Sequence, residues 1–186
     1  SKSKFNNLIE IFIKAKDSPG LFYKLLKVLE HAGLEVIDAN IFTSIKKEFA
    51  ANTFITKYSR HDRVLKKSEL IELTSKIKIN FNKFDKIEIS NSNMIDNSKF
   101  EKIIKIDESI IKDKNRNLIT IETVDSSGLL ANIAKVFFDN NVSIYSARIN
   151  TLGERVEDTF EVENFNKKLV PKYKVKKIIS ELRKVV

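Results

Sequence analysis

The spacing of apolar residues changes period several times along the chain, and each change marks an element. Ile11 and Ile13 alternate with more polar or mixed neighbours, the pattern of a half-buried strand. Leu21, Leu25, Val28 and Leu29 then fall at i, i+4, i+7 and i+8, one face of a helix packed on a sheet. Strand patterns return over Leu34 to Thr43 and around Asn52-Thr53-Phe54, and Leu70, Leu73 and Ile77 predict a second helix. Phe84 to Ile89 supplies a fourth strand, completing the ferredoxin-like order βαββαβ.

The same pattern then recurs. Asp125-Ser126-Ser127-Gly128-Leu129 stands 108 residues after Asp17-Ser18-Pro19-Gly20-Leu21, and Ile119 and Ile121 stand at that distance from Ile11 and Ile13. Leu129, Ile133, Val136 and Phe137 repeat the helical face, and Ala147, Ile149 and Thr151 repeat Ala39, Ile41 and Thr43. Asp158-Thr159-Phe160 follows Asn52-Thr53-Phe54 by 106 residues, so two residues are lost in the turn between two strands, where length varies most easily. The second copy closes with a helix over Val175, Ile178, Ile179, Leu182 and Val185, opened by Pro171.

That copy has no strand after its last helix. Lys99-Phe100-Glu101-Lys102-Ile103 echoes Lys83-Phe84-Asp85-Lys86-Ile87, so Phe100 to Ile106 is expected to fill the empty slot. A hairpin through Asp107 to Arg116 would lay it antiparallel to Asn117–Val124. The expected fold class is α+β: two ferredoxin-like domains in tandem, with antiparallel sheets and helices on one face. Their expected bounds are 1–91 and 100–186, with a turn-rich linker over 92–99.

Composition narrows the chemistry. A chain of 186 residues with 42% hydrophobic positions and 13 Phe can bury two small cores. No apolar run reaches the ~20 residues needed to cross a bilayer, so a cytoplasmic protein without a membrane partner is expected. Zero Cys rules out thiolate chemistry, and His31 and His61 are too few for a histidine-rich metal site. The dipeptide His61-Asp62 lacks the further His or Asp ligands that a metal site needs. The net charge of +9 suits a polyanion, but the six arginines and the aromatics are spread along the chain, so nucleic acid is not the expected partner.

The turn between first strand and first helix has the character of a site in both copies. Asp17 or Ser18 can cap the helix, Pro19 suits its first position, and Gly20 leaves space for an approaching backbone or ligand. Free N–H groups at the helix start, with the positive end of its dipole, can seat a carboxylate such as that of an amino acid.

The run DSPGLFYKLLKVLEHAGLEVIDANIFTS resembles an ACT domain, marked by a D-x-P-G-L turn that opens a helix leading to a strand. The second copy, DSSGLLANIAKVFFDNNVSIYSARINTLGERVEDTFEV, resembles the last ACT domain of bacterial PII uridylyltransferase/uridylyl-removing enzymes. It departs from the family at Ser127, where Pro is usual, and at Asn141, where Gly is common. The resemblance implies a non-catalytic regulatory fragment that senses L-glutamine, or another amino acid, on behalf of catalytic domains acting on the PII signalling protein. It implies no cofactor in this fragment, with Mg and UTP used by the parent enzyme, and a homodimer is compatible with it. Ligand residues carried over from it are Asp17, Ser18, Pro19, Gly20, Leu21 and Phe22, with Ile37, Asp38 and Asn40 on the neighbouring strand. Their counterparts are Asp125, Ser126, Ser127, Gly128, Leu129 and Leu130, with Tyr145, Ser146 and Arg148. The alternative is a ferredoxin-like interaction or dimerisation module, for protein or nucleic acid, without a small ligand.

Overall fold

The computed structural model describes residues 7–44, 48–58, 63–84, 105–112, 115–126, 128–152 and 155–186. The elements run β1 (Leu8–Lys16), α1 (Leu21–His31), β2 (Leu34–Thr43), β3 (Phe49–Tyr58), α2 (Lys67–Asn82), β4 (Lys105–Ile111), β5 (Arg116–Val124), α3 (Leu129–Asp139), β6 (Val142–Leu152), β7 (Arg155–Asn164) and α4 (Lys172–Val185). The strands form a single sheet in the order β1-β3-β2-β6-β7-β5-β4, with every neighbouring pair antiparallel. Each strand–helix–strand–strand–helix run follows the ferredoxin-like order, so the α+β reading holds.

The two copies join through β2 and β6. Asn40 pairs with Arg148 at the centre of that ladder, and these two residues are equivalents in the repeat. Asp38 and Phe42 pair with Asn150 and Ser146, symmetrically about that centre. A pseudo-twofold axis therefore passes through the Asn40–Arg148 pair, and it also brings α1 against α3.

Alternation decides which face is covered. In β3, Ala50, Asn52, Phe54 and Thr56 are buried, as are Ile119, Ile121 and Thr123 in β5. Phe54, Phe137 and Phe160 are among the largest fully buried side chains, and the rings of Phe137 and Phe160 lie 5.4 Å apart. The opposite face is open, leaving Phe12 and Phe42 65% and 55% exposed. At the β1 end the cover is looser: of α2 only Leu73 is buried, and a cavity of about 610 Å³ lies between Ile9, Ile11, Ile13 and Leu70, Ile77, Phe81.

The strand preceding the second copy pairs with β5, Ile106 opposite Ile121. It runs on to Ile111, however, and β5 begins at Arg116, so Asp107 to Ile111 belong to the strand rather than to the hairpin connection. The charges read as loop belong to an edge strand that tolerates them: Lys105 pairs with Asp107 at 3.1 Å, and Glu108 accepts from Asn117 Nδ2 at 2.9 Å. Of the expected strand Phe84 to Ile89, Phe84 lies in a helical turn just after α2 and the rest falls outside the described residues, as do the linker over 92–99, residues Phe100 to Ile104, and His61-Asp62.

Candidate functional site

Helix α1 opens from a tight turn. Leu21 N donates to Ser18 O at 3.1 Å, with Pro19 and Gly20 between them. A type II turn needs φ of about +80° and ψ near 0° at its third residue. Gly20 has φ 74° and ψ 7°, a conformation that a Cβ disfavours. The expected cap is therefore corrected: the cap position falls on Gly20, which has no side chain to accept from the first turn. Just before the turn, Asp17 N donates to Glu48 O at 3.3 Å. Among the described residues, the amides of Phe22 and Tyr23 in the first turn have no acceptor. This helix start can hold a carboxylate.

The pseudo-twofold axis sets that turn against the other copy. A Cβ on Gly20 would lie 2.5 Å from Cδ2 of Phe138, at the end of α3. Phe138 in turn stacks on Tyr23 at 6.0 Å and leans on Phe165 at 6.1 Å. Behind the turn is a cavity of about 20 Å³ whose polar lining includes Asp17, Ser18, Thr43, Asn52 and Ser143. An outer cavity of about 200 Å³ shares Asp17, Ser18, Thr43 and Ser143 and adds Tyr145, Glu163 and Lys167. Arg116 fixes this outer wall: its guanidinium lies 3.3 Å from the Tyr145 ring centre and its Nε donates to Glu163 at 3.2 Å.

The second turn repeats the backbone, with Gly128 at φ 77° and ψ 1° and Leu129 N donating to Ser126 O at 3.0 Å. Its surroundings differ. Nothing lies within 4 Å of a Cβ built on Gly128. Asp158 takes the place of Asn52, 1% exposed, with Asn150 N donating to its Oδ1 at 3.3 Å. Burial, with the charge of Asp125 adding to it, pushes the Asp158 carboxyl up to about 7. Asp125 is raised too, by burial and by Glu35. Glu35 occupies the position that Ser143 occupies at the first turn. One side of the seam is thus a partly polar cleft and the other a more open, acidic one. Among the described residues no group of three or more His, Cys, Asp or Glu could hold a metal ion, and no helix is long and apolar enough to cross a membrane.

No protein-family model matches the chain. A bifunctional uridylyltransferase/uridylyl-removing enzyme of Psychrobacter sp. (strain PRwf-1) is 28% identical over 176 residues, covering 94% of this chain and 19% of that protein. The enzyme of the same name from Vibrio parahaemolyticus is 30% identical over 170 residues, 86% of this chain and 18% of its own length. The curated homologues are bifunctional uridylyltransferase/uridylyl-removing enzymes. The chain spans about a fifth of the uridylyltransferase relatives it matches. A solved protein of unknown function from Galdieria sulphuraria overlaps 96% of the chain at 11% identity, with a TM-score of 0.32.

Asp17, Ser18, Gly20, Leu21 and Phe22 line the inner cavity, and Pro19 lines the outer one with Tyr145. Ile37 and Tyr145 sit at matching bulges, where the β2–β3 and β6–β7 registers shift. Asp38, Asn40 and Arg148 are exposed on the open face of the sheet, and with Ser146 they are absent from both cavity linings. Asp125, Ser126, Gly128, Leu129 and Leu130 gather at the second turn, and Ser127 lies outside the described residues. Thr43, Asn52, Phe138, Ser143 and Glu163 join the first cleft although sequence reasoning did not select them. Asn52 carried a usable signal: a polar residue between Ala50 and Phe54 at an inward position of a strand.

Proposed function

We propose that the chain is the C-terminal regulatory part of a bifunctional uridylyltransferase/uridylyl-removing enzyme, made of two ACT domains that bind L-glutamine or another amino acid. Occupancy would control uridylylation and deuridylylation of the PII protein by catalytic domains elsewhere in the parent, while this chain performs no chemistry itself. The observation that carries the reading is the first seam cleft, where a helix start with free amides in one copy faces a polar wall supplied by the other. A ligand there touches both copies, so it binds one interdomain arrangement better than another, which is all that coupling requires. Homology to about a fifth of enzymes with both activities supports the same reading.

Isothermal titration of the chain with L-glutamine, glutamate, asparagine and a branched-chain amino acid tests it. Selective glutamine binding that Gly20→Val abolishes is the expected result. Absence of binding to all four in a folded chain would favour the second reading, an interaction or dimerisation module. That reading draws on Phe12 and Phe42, exposed on the open sheet face.

A further inference from the structure

The inner seam cavity contains a polar atom that the chain leaves without a partner. Asn52 is 1% exposed, and its carboxamide is held one way round because Nδ2 donates to Ile13 O at 3.2 Å. Its Oδ1 is buried with no donor, in a residue that lines the cavity. A buried amide oxygen loses its hydrogen bond to water on folding and recovers it only when something donates to it.

Size and polarity indicate what would donate. A cavity of about 20 Å³ has room for one water-sized group, and a terminal NH₂ is such a group. The body of an amino acid, with its two charges, belongs in the adjoining space of about 200 Å³, whose lining includes Asp17, Glu163 and Lys167. The inner walls include Leu21, Phe22, Ile41, Ala134 and Phe137, and such walls disfavour a charged end. A side-chain carboxylate is disfavoured twice over, because it carries only acceptors and would place one against Asn52 Oδ1.

We propose that Asn52 Oδ1 is the specificity-determining acceptor of the seam site: it takes an N–H of a ligand's terminal carboxamide and so selects glutamine-like amino acids over their carboxylate counterparts. This rests on the amino-acid-binding reading above. The second turn has no equivalent acceptor arrangement, since Asp158 replaces Asn52 and Glu35 replaces Ser143.

The test is titration of the wild-type chain and of Asn52→Leu, a variant of similar volume that removes the acceptor, with L-glutamine and L-glutamate. The wild type should prefer glutamine by about 100-fold, and Asn52→Leu should weaken glutamine roughly 10- to 100-fold while changing glutamate about twofold at most. If that variant does not fold, the γ-methyl ester of L-glutamate, which keeps the carbonyl and lacks the N–H, tests the wild type directly. It should bind at least about tenfold more weakly than glutamine. An unchanged glutamine-to-glutamate ratio in Asn52→Leu, or equal binding of the ester, overturns this inference and leaves the amino-acid-binding reading standing. Failure of the wild type to bind any amino acid overturns both.

Discussion

Alanine at position 20 would have to place its Cβ 2.5 Å from Cδ2 of Phe138 while keeping a φ of 74°. The backbone alone costs about 1 kcal/mol. Moving the ring adds about 1–2 kcal/mol, toward the low end for overpacking, because Phe138 is 38% exposed and can swing outward from Tyr23 and Phe165. Gly128→Ala bears the backbone cost without the clash, since its Cβ meets nothing within 4 Å. Urea unfolding should therefore place Gly20→Ala about 2–3 kcal/mol and Gly128→Ala about 1 kcal/mol below the wild type. In melting temperature the first corresponds to a fall of roughly 5–10 °C for a chain of this size. On a Phe138→Ala background the Gly20→Ala cost should drop to about 1 kcal/mol, a coupling of about 1–2 kcal/mol between residues of different copies. Equal costs at the two glycines with no coupling to Phe138 would refute the docking of the first turn on the second copy's helix.

Three further outcomes follow from buried groups. Folded Asp158 keeps its proton up to about 7 against 3.8 for an ordinary aspartate, so between those values the folded chain binds more protons than the unfolded one and stability must fall as pH rises. Asp158→Asn should flatten that part of a stability–pH profile, worth roughly 2–4 kcal/mol at pH 8. Phe160→Ala, which empties a fully buried site beside Phe137, should cost about 3–5 kcal/mol in the same urea assay. Arg116→Met removes the donor to Glu163 and the cation over Tyr145. It should destabilise by about 2–3 kcal/mol and raise the fluorescence quenching of Tyr145 by added acrylamide.

The repeat was legible because both copies obey the same two periods, and the order of elements and the pairing of the preceding strand with β5 came from it directly. Its helix caps were misjudged because Asp17 and Ser18 are good caps in isolation, whereas the left-handed Gly20 sets the entry angle. The strand side of the first cleft was only partly legible. Asp38 and Asn40 alternate with buried Ala39 and Ile41, so they face away from the helices, while Thr43 and Asn52 share the inward face. Phe138, Ser143 and Glu163 were beyond any periodicity argument, since they reach the cleft only through the β2–β6 pairing and the axis at Asn40–Arg148.

The central claim is that an amino acid binds in the first seam cleft. Its most direct test is a ¹⁵N–¹H correlation spectrum of the chain titrated with L-glutamine. The account predicts that the amides of Gly20 to Tyr23 and of Ser143 to Tyr145 shift together on a single binding curve, with those around Gly128 changing little. Shifts confined to the Gly128 turn or the open sheet face, or none at saturating glutamine, would contradict it.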